Sequence, residues 1–189
     1  MTCVLIVPPA AEPVSVADMR AHLRLPGTQE DGLLAELVVA ARQQVERETG
    51  RALISQGWRL YLEHWPVGRI IQLPVAPVIE VSEISAYDLG GHAQLLDPDD
   101  YTLDRSVSPA RIRVKVGAGL PSSSLLGLEI DFTAGYGETA ATVPATLKQA
   151  IRLLAAHWFE NREAGVEVAQ GSLPHGLDRL LAVNKVLKL

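Results

Sequence analysis

A cluster of acidic side chains is the first feature whose residue types could bind a metal ion. The carboxylates lie at Asp97, Asp99, Asp100 and Asp104. A calcium loop alternates its carboxylates around a glycine turn and ends in a distal glutamate. Here Pro98 separates the first two carboxylates and the glycine is absent. The pattern therefore favours a turn between two strands over a metal site.

Histidine is the second residue type that could ligate a metal, and the chain has five of them: His22, His64, His92, His157 and His175. No two lie three or four positions apart, the spacing that puts two imidazoles on one helix face for zinc. We therefore predict no metal site, and we interpret His157 as a packed or rim residue of a helix.

Residues that could act as nucleophiles or cradle a phosphate lack the partners such chemistry needs. No serine stands in a G-x-S-x-G motif, and Ser122–Ser124 follow a proline as a loop tip would. Cys3 sits in an apolar run near the chain start, and no G-K-[ST] follows Gly117 or Gly119. Gly90-Gly91 is typical of a hairpin turn. The sequence thus predicts no catalytic residue and no cofactor.

The overall composition is that of a soluble globular protein with a mild negative charge. The 189 residues include 17 basic and 22 acidic side chains, which gives a net charge of −5. This balance argues against a surface that neutralises DNA phosphates, but not against a pore through which DNA passes. The single cysteine indicates a reducing compartment. The apolar run Cys3–Val7 is too short for a signal peptide or membrane span, and we expect synthesis in the cytoplasm.

Two helices are predicted in the first 50 residues. Ser15 can cap a helix that has Asp18 in its first turn and stops by Leu25. A second helix is predicted from Asp31 to Thr49, followed by Gly50 as a left-handed cap. Its apolar residues recur every three or four positions, which gives one wide buried face: Leu33, Leu34, Leu37, Val38, Ala41 and Val45.

The segment 51–137 changes to an alternating pattern of apolar and polar residues, which predicts half-buried antiparallel strands. Prolines and glycines divide it into five or six strands. Val4–Val7 is either another short strand or an extended arm. The predicted strands cover roughly 56–64, 69–73, 78–87, 100–104, 110–116 and 127–133.

The C-terminal third returns to helical spacing. A helix is predicted from about Pro144 to Glu160, within the segment 143–164. Its charged end, Glu160–Glu163, favours a solvated surface, with a subunit contact as the alternative. Residues 173–189 form an apolar terminal segment that either folds back on the core or docks on a partner. The apolar stripe of the predicted helix consists of Leu147, Ile151, Leu154 and Trp158.

These elements predict an α+β fold in a single domain, 1–189. About four helices, contributed by both ends of the chain, pack as a bundle. An antiparallel sheet of five or six strands is inserted between them in the sequence.

Six motifs in the same order resemble the head–tail connector (adaptor) proteins of tailed bacteriophages, including those of phage-like gene transfer agents. Together they cover nearly the whole chain, and the segment 157–163 is the most specific of them. One difference lies at the end, where 182–189 replaces a Pro-Tyr-Arg-like ending. The motifs are Pro13–Arg24, Asp31–Leu53, Leu73–Val78, Ala134–Gly137 with Val143-Pro144, His157–Glu163, and Leu173–Leu177 with Leu180-Leu181.

The resemblance implies a structural virion protein at the head–tail junction. Members form a ring, usually of twelve copies, that binds the portal on one face and a stopper or tail protein on the other. DNA passes through without specific binding, and no cofactor, catalysis or membrane is implied. On this basis the candidate portal-docking residues are Leu177, Leu180, Leu181 and Lys185, and the candidate subunit-contact residues are Trp158, Glu160 and Arg162.

Two other functions stay open at this point. The chain could be a stopper or tail-completion protein of the same particle, for which a mostly β fold without four flanking helices is expected. It could instead be a small α+β enzyme, which would need a convergent nucleophile, base and orienting group.

Overall fold

The computed structural model describes residues 1–118, 127–161 and 176–186, and it has the predicted α+β fold. The described helices are α1 (Val16–Leu23), α2 (Asp31–Thr49), α3 (Ala145–Glu160) and α4 (Leu177–Ala182). The described strands are β1 (Thr2–Val7), β2 (Gln56–Leu62), β3 (Ile70–Gln72), β4 (Val78–Tyr87), β5 (Ala93–Leu95), β6 (Tyr101–Asp104), β7 (Arg111–Val114) and β8 (Leu128–Ala134).

The chain divides into two compact units. The sheet unit comprises Met1–Pro9, the described part of Ser55–Gly135, and Val186. The helical unit comprises Ala10–Ile54 and the described part of Tyr136–Lys185. The single domain predicted from the sequence, 1–189, stays a prediction.

The ends of α1 and α2 are set by the residues that the sequence singled out. The Ser15 hydroxyl accepts a hydrogen bond from the Asp18 amide at 3.0 Å, and the Asp18 carboxylate accepts from the Ser15 amide at 3.1 Å. This reciprocal pair is a capping box, which satisfies two amides that have no partner within the helix. Gly50 ends α2 with φ of 69°, as its position after the last periodic residue predicted.

Helices from both ends of the chain share one hydrophobic core, as predicted. The stripe of α3 supplies Leu147, Ile151 and Leu154, which are at most 1% exposed. Trp158, the fourth member of the stripe, is partly buried against the same core. The side of α2 that faces it consists of Leu34, Val38, Ala41 and Val45. The 3.6-residue periodicity of both helices therefore identified the core of the helical unit.

The strands form two antiparallel sheets, where the sequence indicated one. The five-stranded sheet has the order β1-β2-β8-β4-β5, and the three-stranded sheet has the order β3-β7-β6. Alternate residues of β8 are buried, which defines an inner apolar face and an outer polar face. The buried residues of β8 are Leu128, Ile130, Phe132 and Ala134.

Two strands and one helix differ from the expected pattern. β1 is a strand of the five-stranded sheet, which resolves the alternative between strand and arm, although the sheet was expected only within 51–137. β5 has three residues and was not predicted. α4 covers six residues, much less than the expected terminal segment, of which 173–175 and 187–189 lie outside the described residues.

Candidate interaction surfaces

The acidic cluster lies in a turn that leads into β6, as predicted. Asp97 caps a short 3-10 turn by accepting a hydrogen bond from the Asp99 amide at 2.9 Å. Asp104 lies at the other end of β6, where hydrogen bonds from the hydroxyl and amide of Ser106 lower the pKa of its carboxyl. Within 1–118, 127–161 and 176–186, no group of three His, Cys, Asp or Glu side chains could hold a metal ion.

The remaining reactive groups are placed in structural roles. Burial raises the pKa of the Cys3 thiol to about 11, so its nucleophilic thiolate is scarce at neutral pH. Gly90-Gly91 lies in the hairpin between β4 and β5, where the Asp88 carboxylate accepts hydrogen bonds from the Gly90 and His92 amides.

None of the helices that the structure describes is long and apolar enough to cross a membrane.

A shallow depression of about 360 Å³ lies on the outward side of α2, and the residues that line it do not form a catalytic site. Its lining is mostly apolar, with Glu36 as the single titratable side chain. A carboxylate without a nucleophile or a second base beside it does not support a catalytic mechanism. The lining residues are Ala35, Glu36, Val39, Ala40 and Gln43.

The end of α3 carries the candidate subunit-contact residues. Trp158 packs partly against the helical core, while Glu160, the last residue of α3, is exposed. Asn161 closes the helix, with its side-chain amide donating to the carbonyl of His157 at 2.8 Å. Arg162 lies outside the described residues. The structure therefore places one member of the set at the core and one at the surface.

The candidate portal-docking residues of α4 fall on different sides of the helix. Leu177 is fully buried and Leu181 is 7% exposed, both in the core of the helical unit. Leu180 is half-buried and Lys185 is exposed. The sequence correctly marked an apolar helix face, but two of its leucines fasten α4 to its own chain.

Polar contacts also hold the residues that follow α4. The Asn184 side-chain amide donates to the Leu180 carbonyl at 2.9 Å, and the Asn184 carbonyl accepts from the Arg51 guanidinium. The two residues on either side of Asn184 are exposed: Val183 is 87% exposed, and Lys185 is also exposed. The exposed side of α4 and the residues after it therefore combine an apolar and a basic side chain.

A buried ion network lies within the helical unit. The Arg42 side chain is 6% exposed and binds Glu12 at 2.8 Å and Glu46 at 2.7 Å. Glu46 also accepts a hydrogen bond from the Leu53 amide at 2.8 Å. Both carboxylates are needed, since a buried guanidinium without partners is strongly unfavourable. Sequence analysis missed this network because Arg42 lies on α2 among charged residues typical of a solvated face.

The outer face of the five-stranded sheet carries a second ion cluster that sequence analysis missed. Arg59 on β2 binds both carboxylate oxygens of Asp131 on β8, at 2.6 and 2.7 Å, and Glu129 lies 3.2 Å away. The hydrogen bonds to Asp131 raise the pKa of Arg59 above its ordinary value. Burial and a hydrogen bond to Glu129 raise the pKa of Tyr87 on β4. The alternation of opposite charges in the two strands was the available signal.

The two edges of the five-stranded sheet expose apolar side chains. On β1, Val4 is 36% exposed, Leu5 and Ile6 are 44%, and Val7 is 57%. At the opposite edge, Leu95 of β5 is 65% exposed. Among the described residues, β1 pairs only with β2 and β5 only with β4. Each edge therefore offers unpaired backbone groups next to apolar side chains.

Comparison with known proteins identifies a family match in the first half of the chain. A family model described as "Phage gp6-like head-tail connector protein" matches residues 13–88. This range contains α1, α2 and the first three strands of the inserted sheet segment. No curated protein sequence matches the chain.

The similarity to solved structures extends over the whole length of the chain. A chain from the neck of an empty gene transfer agent (GTA) particle, computed with C6 symmetry, is 33% identical with a TM-score of 0.84. Chains from the virion of a native GTA particle and from a native GTA neck computed with C12 symmetry are also 33% identical, with TM-scores of 0.82 and 0.80. Each comparison covers 100% of this chain and 97% of the other.

Proposed function

This chain belongs to the phage gp6-like head–tail connector family, and we propose on that basis that its copies form a ring in the neck of a virion, between the portal and the tail. The ring extends the DNA channel and provides the attachment site for the tail. The observation that carries the proposal is the similarity, at 33% identity over the full length, to chains of a particle neck.

The symmetry of the similar particles supports a ring. The two neck structures were computed with C6 and C12 symmetry, and C12 fits the twelve copies that the family resemblance implied. A closed ring requires a heterologous interface, in which one patch of a subunit meets a different patch of the next. The fold also favours a connector over a stopper, since four helices flank the sheet segment in the sequence.

We place portal docking on the exposed side of α4 and the residues after it. Leu180, Val183 and Lys185 provide apolar and basic groups there, while Leu177 and Leu181 anchor the helix to the core. This retains the four docking residues suggested by the sequence and divides their roles. An exposed apolar side chain next to a cation suits a portal surface that combines an apolar pocket with carboxylates.

We place one subunit contact at the end of α3. Glu160 is exposed there, and Trp158 supplies an aromatic side chain that is only partly covered by the core. Arg162 follows in the sequence and would pair with a carboxylate of the next copy. Charge reversal by Arg162→Glu is then expected to impair ring assembly, and normal rings from this variant would remove the residue from the interface.

The charge of the chain suits DNA passage without binding. Acidic residues outnumber basic ones by 22 to 17, and Arg59 on the outer sheet face is already neutralised by two carboxylates. DNA affinity requires clustered free cations. We therefore expect no measurable DNA binding by the isolated protein at physiological salt.

Electron microscopy of the chain co-expressed with its portal tests the proposal. The expected result is a symmetric ring that caps the portal and contains the chain in an integral number of copies. A chain that stays monomeric and does not co-purify with the portal would overturn it. Val67→Asp, on a fully exposed valine of the sheet unit, serves as a matched surface control, and this variant should leave portal binding unchanged.

A further inference from the structure

The five-stranded sheet has an open strand at each edge, and a second contact between subunits can be inferred from them. This inference rests on the proposed ring. We propose that neighbouring copies join their sheets edge to edge, with β1 of one copy beside β5 of the next. The sheet thereby continues from one subunit to its neighbour through backbone hydrogen bonds.

Exposed hydrophobic residues concentrate at these two edges. Among the described residues, eleven large hydrophobic side chains are exposed. Five of them lie on β1 or directly before it, one lies in the hairpin that precedes β5, and one lies on β5, so these regions hold seven of the eleven. The five are Met1, Val4, Leu5, Ile6 and Val7, and the other two are Leu89 and Leu95. Exposed apolar side chains grouped in this way are a feature of protein interaction surfaces.

The β1 edge lacks the charged and proline residues by which many proteins protect an open strand, although its register with β2 shifts between Leu5 and Val7. Such edges usually carry lysine, proline or inward-pointing charges that prevent pairing with another chain. Thr2–Val7 reads Thr-Cys-Val-Leu-Ile-Val and contains none of these, and the first prolines come only at Pro8 and Pro9. β5 reads Ala-Gln-Leu and is exposed at all three residues. Backbone groups are therefore available for pairing over six residues of β1 and three residues of β5.

A second copy of this chain is the occupant that uses both edges. Pairing β1 with β1 of another copy is isologous and gives a two-fold dimer, which cannot propagate around a ring. A strand from a different protein on β1 would leave the β5 edge exposed. The β1-to-β5 contact is heterologous and repeats identically at every interface, as a closed ring requires.

The strand directions determine how the two edges meet. All four neighbouring pairs in the sheet are antiparallel, so β1 and β5 run in the same direction. A copy that continues the sheet therefore pairs them in parallel, with evenly spaced, slanted hydrogen bonds. β5 has only three residues, so each contact is small and the ring depends on closure and on its neighbours in the particle.

Engineered disulfides test the contact directly. In a Cys3→Ser background, Gln94→Cys is combined in turn with Val4→Cys, Leu5→Cys and Ile6→Cys, which samples three registers. Within one copy, β1 and β5 are four strand spacings apart, about 19 Å, too far for a disulfide. Rings formed with the portal and oxidised in air with copper phenanthroline should give covalent oligomers on non-reducing gels. Leu5→Cys with Val116→Cys is the matched control that should stay monomeric.

Blocking variants test the direction of the contact. Leu5→Lys and Leu95→Lys should each keep the monomer's melting temperature near that of the unmodified chain, because both side chains are exposed, yet each should abolish rings. A mixture of the two variants should also form no rings, since every contact between them leaves a blocked edge at each end. The control Val67→Lys should form rings normally.

The outcomes separate this inference from the function on which it rests. If the unmodified chain forms rings on the portal but no register gives covalent oligomers, and Leu5→Lys still assembles, the edge contact is wrong and the connector function stands. If the unmodified chain forms no ring with its portal, the proposed function itself fails. Covalent oligomers in at least one register, with the loss of rings in both lysine variants, support the edge contact.

Discussion

At the scale of single residues, Arg42 is a buried cation held by two carboxylates of the helical unit. Its side chain is 6% exposed and binds Glu12 and Glu46, so its removal leaves the Glu46 carboxylate, 12% exposed, and the Glu12 carboxylate, 28% exposed, without a cation. We expect Arg42→Met to lower the free energy of unfolding by about 3 kcal/mol, measured by urea denaturation. Arg47→Met on the exposed side of the same helix should change it by less than about 0.5 kcal/mol. Equal effects of the two substitutions would contradict the buried network.

Gly127 and Gly91 form a matched pair for testing backbone constraint. Both have φ of 81°, so alanine is strained at either position. A Cβ atom at Gly91 meets open space, whereas at Gly127 it overlaps the carbonyl oxygen of Leu62. We expect a cost of about 1 kcal/mol for Gly91→Ala and about 3 kcal/mol or more for Gly127→Ala. Thermal unfolding followed by circular dichroism measures both, and similar shifts would refute the close approach.

The helix-end residues could be predicted from the sequence, whereas the buried and cross-strand ion pairs could not, for a physical reason. Ser15 and Gly50 act on their own helix ends, so local spacing was sufficient to predict them. Glu46 lies four positions from Arg42 on the same helix, but Glu12 lies 30 residues from Arg42, and Asp131 lies 72 residues from Arg59. Such pairs depend on how the elements pack, which no local pattern specifies.

At the scale of elements, the capping box of α1 gives a pH-dependent prediction. Hydrogen bonds from Ser15 lower the pKa of Asp18 below its ordinary value of 3.8. The stabilisation is therefore complete above that value and is lost as the pH falls through the lowered pKa. We expect Ser15→Ala to cost about 1 kcal/mol at pH 7 and less at pH 2.5, measured by thermal melts across this range.

The Asp18→Asn background supplies the control for this pH dependence. Asparagine does not titrate, so in that background the effect of Ser15→Ala should be the same at both pH values. A cost of Ser15→Ala that stays constant from pH 7 to pH 2.5 in the unmodified background would show that the carboxylate does not contribute to the cap.

Elements with strong periodicity were predicted almost residue by residue, and weak ones were missed. α2 has a wide apolar face and Gly50 directly after it, so its predicted range, Asp31 to about Thr49, matches the observed Asp31–Thr49. β5 has three residues and no β-branched side chain, too little for period-two alternation to appear. β1 is apolar on both faces, a pattern that fits a strand and an extended arm equally. Its place in the sheet depends on pairing with β2, far away in the sequence.

At the scale of the whole molecule, the C-terminal segment shows why a partner surface is hard to predict from sequence. The leucines of α4 recur with helical spacing, which identifies an apolar face but not what covers it. The structure divides the face, with Leu177 and Leu181 in the core and Leu180 half-buried. Burial within a chain and burial against a partner require the same side chains, so only the fold separates them.

This division changes how portal docking must be tested. Deletion from residue 173 onward removes Leu177 and Leu181 from the helical core, and each large-to-small loss in a core costs about 2–5 kcal/mol. We therefore expect the deleted protein to melt at a lower temperature, so its loss of portal binding alone is ambiguous. The double variant Val183→Asp/Lys185→Glu alters only exposed side chains. It should keep the melting temperature and lose co-purification with the portal, whereas Ala182→Ser, also exposed, should retain both. Full portal binding by the double variant would place docking elsewhere on the chain.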